Sequence, residues 1–149
     1  MTRFPLLGLL LCVLMGCHNG PAPEPTDTST PIEQTLTIYR LDGDAGRQPE
    51  SSDTFHKWLI LKRHTITDST TQQSVLEALQ AGIDDPNAAQ RRCFIPRHGI
   101  RHRLPDGHTM DHVICFQCGS YHAYLDGESH DGGPIAPTKI KRALDSMLQ

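Results

Sequence analysis

The feature that most constrains the fold of this 149-residue chain is the stretch from Arg91 to Leu125. It contains two apolar segments on either side of Pro105-Asp106-Gly107. Proline fixes the first position of a turn and glycine supplies a positive φ, so the tripeptide predicts a β-hairpin. The fold must therefore place this hairpin in a sheet.

The length of the turn decides which residues of the hairpin face each other. A two-residue turn places His98 opposite Cys115, whereas a three-residue turn with a glycine bulge places Arg101 opposite Asp111. Because a slip of one residue exchanges the two faces of a strand, the registers bury different side chains. Both registers are compatible with the sequence.

Three cysteines lie in this stretch, at positions Cys93, Cys115 and Cys118. Cys115 and Cys118 form a C-x-x-C motif followed by Gly119, which permits a turn. With a turn near residue 106, Cys93 falls opposite about residue 119 or 120, beside Cys118. A disulfide between Cys93 and Cys118 is therefore the easiest pairing, with Cys115 left over.

Two other interpretations of these thiols stay open. Cys93, Cys115 and Cys118, together with His98 or alternatively His122, could form a Cys₃His set of ligands for zinc. The thiols could also be inert core residues. A thioredoxin-type redox centre is disfavoured, because there the C-x-x-C motif begins a helix and here it ends a β-rich segment.

The amino terminus predicts export. The apolar run from Phe4 to Met15 is shorter than the roughly 20 residues that span a bilayer, so it has the size of a signal-peptide core. Leu14-Met15-Gly16-Cys17 resembles the lipobox of bacterial lipoproteins. This resemblance implies cleavage before Cys17 and a lipid on its sulfur, which anchors the protein to the membrane of the bacterial cell envelope. His18, where an aspartate is absent, favours the periplasmic side of the outer membrane.

The predicted organisation has three parts: a signal peptide at 1–16, a lipid-anchored disordered tether at 17–31 and a single domain at 32–149. The tether is rich in proline, threonine and serine and has nothing apolar to bury. The net charge of −3 gives no reason to expect nucleic-acid binding.

Hydrophobic periodicity predicts an α+β fold for the domain. Predicted strands cover residues 35–40, Phe55–Arg63, both arms of the hairpin and Tyr121–Leu125, and helices begin near Ser69 and Pro137. The polar residues Glu128–Pro134 are predicted to be a loop. Short turns favour an antiparallel sheet of about five strands, with two helices packed on one face.

The hairpin also carries a resemblance. Cys93-Phe94-x-Pro96-Arg97-His98, followed by Asp111-x-x-Ile114-Cys115-Phe116-x-Cys118, is similar to the signature C-F-x-P-R-H … D-x-x-I-C-F-x-C of a family of uncharacterised bacterial proteins, many of them lipoproteins. The resemblance covers Phe55 to the carboxyl terminus. It implies that the hairpin is the signature of the family, and it supplies no activity.

Function is predicted mainly by what the sequence lacks. No G-x-S-x-G, H-E-x-x-H or glycine-rich phosphate loop is present. The expected function is a non-catalytic binding or structural module built on the Cys/His hairpin. The alternatives are a zinc protein or a thiol-dependent envelope enzyme, in which His98 activates Cys93 or Cys115.

The arginines of the hairpin suggest a further role. Locally the hairpin is basic within an acidic protein, through Arg91, Arg92, Arg97, Arg101 and Arg103. This pattern predicts either a solvated face or a docking surface for an acidic protein partner.

Overall fold

The computed structural model describes residues 35–149. The predicted signal peptide, Cys17 and the tether lie outside the described residues. The described elements are β1 Leu36–Asp42, β2 Thr54–Phe55, β3 Trp58–Ile66, α1 Ser69–Ile83, β4 His98–Arg103, β5 Thr109–Cys115, β6 Ser120–Leu125, β7 Glu128–Pro134 and α2 Thr138–Met147.

The strands form one antiparallel sheet in the order β2-β3-β1-β4-β5-β6-β7. The predicted α+β class, with an antiparallel sheet and two helices, is confirmed. The predicted number of strands is wrong, because the sheet has seven strands where about five were expected.

Each additional strand follows a tight turn. His56 and Lys57 have φ angles of 49° and 70°, so the predicted strand Phe55–Arg63 folds back on itself and forms β2 and β3. Asp126 and Gly127 have φ angles of 50° and 88°, and they turn β6 into β7. The predicted loop Glu128–Pro134 is therefore an edge strand.

The central hairpin has the longer of the two predicted turns. The amide of Leu104 donates a hydrogen bond to the carbonyl of His108 at 2.8 Å, which leaves Pro105, Asp106 and Gly107 in the turn. Gly107 has a φ of 91°. Arg101 consequently lies opposite Asp111, and His98 lies opposite Ile114 rather than Cys115.

Two apolar clusters contain the core. The larger joins side chains of both helices, such as Val75, Leu79 and Leu144, to alternate residues of the sheet, such as Ile38 and Ile114. The smaller comprises Tyr39, Leu41, Phe55, Trp58 and Val113. Because residues of opposite parity in β1 and β5 enter different clusters, the middle of the sheet is buried on both faces.

The edge of the sheet is more exposed than its sequence suggests. An apolar run such as Trp58-Leu59-Ile60-Leu61 is typical of a strand that is covered on both faces, but the exposed fraction of Leu61 is 53%. Beyond Ile60, the described strand that pairs with β3 is β1. Within residues 35–149, no helix is both long and apolar enough to cross a membrane.

Candidate functional site

The thiols meet at the open end of the hairpin. Cys93 and Cys118 lie at disulfide distance, with their Cα atoms 5.6 Å apart and a sequence separation of 25. This is the pair that the hairpin geometry predicts. Gly119, which follows, has a φ of 63°, and a Cβ atom there would lie 2.1 Å from the carbonyl oxygen of Ala89. Glycine is therefore required where the chain leaves the cluster.

Cys115 is the remaining thiol and is completely buried. Its Sγ accepts hydrogen bonds from the backbone amide of Cys118 at 3.2 Å and from that of Ile95 at 3.4 Å. The first donor is the amide of Cys118 itself, and the second, the amide of Ile95, lies two residues after Cys93. The Cys115 thiol therefore contacts both of the chain segments that carry the Cys93–Cys118 pair.

The predicted Cys₃His zinc set is not assembled. In the described part of the chain, no three side chains of His, Cys, Asp or Glu are placed together to hold a metal ion. The Nε2 atom of His98 instead lies 2.9 Å from Oδ1 of Asp145. His122, the alternative ligand, packs its ring against Phe94, with ring centroids 4.4 Å apart.

The predicted Cys-His nucleophile does not form either. Cys93 is paired with Cys118, and the described hydrogen bonds of the Cys115 sulfur all come from backbone amides. Since Nε2 of His98 is with Asp145, no described hydrogen bond joins a histidine to the Cys115 sulfur as a general base would require.

His98 instead lies in a groove beside the cysteine cluster. The groove has a volume of ≈ 460 Å³. Its lining comes from β1, β3, the start of β4, the segment after β5 and the carboxyl-terminal helix: Arg40, Leu41, Leu61, Arg97, His98, Phe116, Gln117, Lys141, Asp145, Leu148 and Gln149. We call it the basic groove.

The His98–Asp145 pair carries the titratable groups of the basic groove. Burial lowers the pKa of His98, although the hydrogen bond that His98 donates to Asp145 works against this effect. Burial raises the pKa of Asp145, but hydrogen bonds from Lys141 and His98 outweigh it, so this pKa lies below its usual value. Asp145 is therefore ionised at neutral pH and pairs with Lys141.

One cation of the basic groove is left without a counter-charge. Arg97 pairs with Asp44 at 2.6 Å and Lys141 with Asp145 at 2.5 Å. Among the described residues, no carboxylate lies within salt-bridge distance of Arg40, which is exposed. Arg40 can therefore bind an anion without breaking an ion pair with a described carboxylate.

Two arginines of the hairpin form ion pairs with carboxylates of the same chain. Arg97 pairs with Asp44, and Arg101 binds both oxygens of Asp111 at 2.8 and 2.6 Å. Exposed positions are occupied by Arg91, Arg92 and Arg103. A protein partner at the basic hairpin stays a prediction, and the surface available to it is smaller than the sequence suggests.

Asp111 holds the β2–β3 turn on the sheet. It is 1% exposed, and its second partner is Nε2 of His56 at 2.8 Å. Burial raises the pKa of Asp111, but the hydrogen bonds from Arg101 and His56 outweigh this and lower it. The ring of His56 also stacks on Tyr124, with centroids 3.7 Å apart. This network explains why a turn of non-glycine residues with positive φ is stable.

A second pair of histidines lies on the strands of the central hairpin, where His112 is buried and His102 is half-buried. The rings of His102 and His112 are nearly parallel, 10° apart, with centroids separated by 5.8 Å. Neither Nδ1 atom has a hydrogen-bond partner among the described residues. Burial, with a smaller effect of His102, lowers the pKa of His112 to about 4. Both rings are therefore neutral at neutral pH.

Sequence reasoning singled out His98 and the cysteines but missed Arg40, Lys141 and Asp145. Lys141 and Asp145 are four residues apart on α2, which is a detectable ion-pair spacing. Their meeting with His98, 47 residues away from Asp145, depends on where α2 lies and has no local signal.

Comparisons with known proteins do not extend this description. No family model matches the chain, and neither a curated protein nor a solved structure matches it. The likeness of the hairpin to the C-F-x-P-R-H … D-x-x-I-C-F-x-C signature therefore stays an expectation.

Proposed function

We propose that this protein is a non-catalytic binding module, tethered to the bacterial cell envelope through lipidated Cys17, whose basic groove holds a small anionic ligand with an apolar body. The observation that carries the proposal is the placement of Arg40, which has no carboxylate partner among residues 35–149, beside an apolar lining.

The dimensions and chemistry of the basic groove support a small molecule. Its ≈ 460 Å³ lie within the roughly 300–1,000 Å³ typical of ligand sites. Leu41, Phe116 and Leu148 supply an apolar surface, and all three are buried. Arginine binds carboxylate and phosphate oxygens through paired N–H donors, so Arg40 suits the charged end of the ligand.

The surrounding fold supports a rigid site. The Cys93–Cys118 pair links the segments before β4 and after β5, so we propose that a disulfide fixes this wall of the groove in the oxidising envelope. Both helices share one core cluster with alternate residues of the sheet. This supports the prediction that both helices pack on one face.

The alternatives of a zinc protein and a thiol-dependent enzyme have less support. Each needs Cys93, Cys115 or His98 in a role for which these residues are otherwise engaged.

Binding of 8-anilinonaphthalene-1-sulfonate tests the groove, because this dye combines an anion with apolar rings and fluoresces when it is shielded from water. We expect the protein to bind the dye and octanoate to displace it. Arg40→Glu should weaken dye binding at least about tenfold, since it replaces an attraction by a repulsion. Fluorescence titration measures this change.

Arg103→Glu is the matched control, because it makes the same charge change at an exposed position at the far end of β4. It should leave the dissociation constant within about twofold of the wild type. Equal losses in both variants, or no binding by the wild type, would contradict the proposed site.

Anchoring is tested separately by Cys17→Ser. If the sulfur carries the lipid, this variant should leave the membrane fraction or accumulate as an uncleaved precursor. Fractionation and intact mass measure both results. A variant of wild-type mass that stays in the membrane fraction would refute the lipid anchor.

A further inference from the structure

The Cys93–Cys118 pair has a third cysteine within its own hydrogen-bond network. The backbone amide of Cys118 donates hydrogen bonds to two atoms of Cys115. These are the Sγ atom, at 3.2 Å, and the carbonyl oxygen, also at 3.2 Å. Residues 115–118 therefore form a closed turn that brings the two ends of the C-x-x-C motif together. A buried thiol so close to a disulfide is placed for exchange with it.

The exposure of the three cysteines is unequal. Cys115 and Cys118 are 0% and 1% exposed, whereas Cys93 is exposed. A bond between the two buried cysteines would thus leave the exposed cysteine as the free thiol. Moving the disulfide from Cys93–Cys118 to Cys115–Cys118 replaces the buried thiol of Cys115 by the exposed thiol of Cys93. The number of thiols among these three cysteines stays the same.

We propose that Cys115 exchanges with the disulfide and makes Cys93 an exposed site of thiol modification. The thiolate of Cys115 attacks Sγ of Cys118, the bond between Cys118 and Cys93 breaks, and the electron pair leaves on Sγ of Cys93. Water takes the proton of Cys115 and returns one to Cys93. Cys93, Cys115 and Cys118 together contain one disulfide and one thiol before and after the exchange, so no oxidant or reductant is consumed.

The exposed Cys93 then reacts with a low-molecular-weight disulfide such as oxidised glutathione. Its thiolate attacks one sulfur of that molecule, a mixed disulfide forms on Cys93, and the other half leaves as a thiol. The buried Cys115–Cys118 bond persists meanwhile. This chemistry uses no residue of the basic groove as a reactant, and it stands independently of ligand binding.

Labelling with N-ethylmaleimide tests the exchange. The native full chain is labelled without reductant at increasing pH, quenched with acid and digested under acidic, non-reducing conditions. Peptide mass spectrometry then locates the label and the disulfide. We expect label on Cys93 together with a Cys115–Cys118 bond, in a fraction that rises with pH because the thiolate is the attacking species.

Cys115→Ser removes the attacking sulfur and leaves the disulfide. Labelling of Cys93 should fall at least about tenfold in this variant. Label on Cys115 alone in the wild type would overturn the proposal, since it would show local opening without exchange. Equal labelling of Cys93 in wild type and variant would overturn it as well.

Cys93→Ser gives a second, independent test that does not depend on the stability of Cys115→Ser. With Cys93 absent, mild oxidation should join Cys115 to Cys118, which alkylation and intact mass detect as the loss of both thiols. Two free thiols after oxidation would show that the fold does not permit this bond, and the exchange would be refuted.

Discussion

Cys93→Ser is expected to lower the free energy of unfolding by about 3 kcal/mol, because it removes the proposed Cys93–Cys118 disulfide, whose loop has a sequence separation of 25 residues. In the unfolded chain that loop restricts the conformations available, and its removal favours unfolding. Cys93 is the suitable position because its side chain is exposed, so serine there buries no new hydroxyl group. Urea unfolding followed by circular dichroism measures the change.

A reductant supplies the control for this substitution. It should bring the urea midpoint of the wild type down to about that of the reduced Cys93→Ser variant, because both then lack the same constraint. If the reductant leaves the wild-type midpoint unchanged, the cysteines do not form a bond that stabilises the fold.

Acid is expected to destabilise the fold between about pH 6.5 and pH 4, through the buried histidines. Burial lowers the pKa of His112 from 6.5 to about 4, and it also lowers those of His102 and His98. A histidine whose pKa is lower in the folded protein binds protons more readily when unfolded. Its contribution is therefore complete above pH 6.5 and is lost as the pH falls.

The fall of the His112 pKa from 6.5 to about 4 should by itself reduce the free energy of unfolding by about 3 kcal/mol at pH 4. The lowered pKa of Asp111 adds a further loss only at lower pH, as that carboxylate is protonated. His112→Leu removes the titrating ring and should reduce the difference in urea midpoint between pH 7 and pH 4.

His64→Gln is the matched control, since it removes an exposed histidine of β3. It should keep the acid sensitivity of the wild type. An equal acid sensitivity in wild type and His112→Leu would show that His112 does not couple folding to pH.

Local patterns predict the parts of this fold that depend on neighbouring residues. The turn chemistry of Pro105-Asp106-Gly107 predicts the hairpin, and the spacing of Val75, Leu79 and Ile83 predicts α1. The hairpin geometry also points to Cys93 and Cys118 as the closest thiol pair. These features need no knowledge of the rest of the chain.

The missed strands have different causes. The turn at His56-Lys57 lacks glycine and asparagine and depends on the distant contact of His56 with Asp111, so no local signal exists. β7 had a signal, because Asp126-Gly127 is a favoured two-residue hairpin turn. The polar composition of Glu128–Pro134 outweighed it, although an edge strand can be polar on both faces.

The basic groove could not be predicted because its residues are distant in sequence. Arg40, His98 and Asp145 come from β1, β4 and α2, and only the folded chain brings them together. A histidine among cysteines suggests a metal ligand, whereas the position of α2 gives His98 a carboxylate partner instead. The sequence pattern therefore singles out His98, whereas its partner, Asp145, follows only from the tertiary fold.

Mapping of octanoate binding by ¹H–¹⁵N nuclear magnetic resonance tests the proposed groove most directly. During titration, the largest chemical-shift changes should occur at the amides of Leu41, His98, Phe116 and Leu148, and Arg40→Glu should move them to octanoate concentrations at least about tenfold higher. Largest changes instead around the separate cavity lined by His56, His122 and Tyr124, or no changes at saturating octanoate, would contradict the proposal that the basic groove is the binding site.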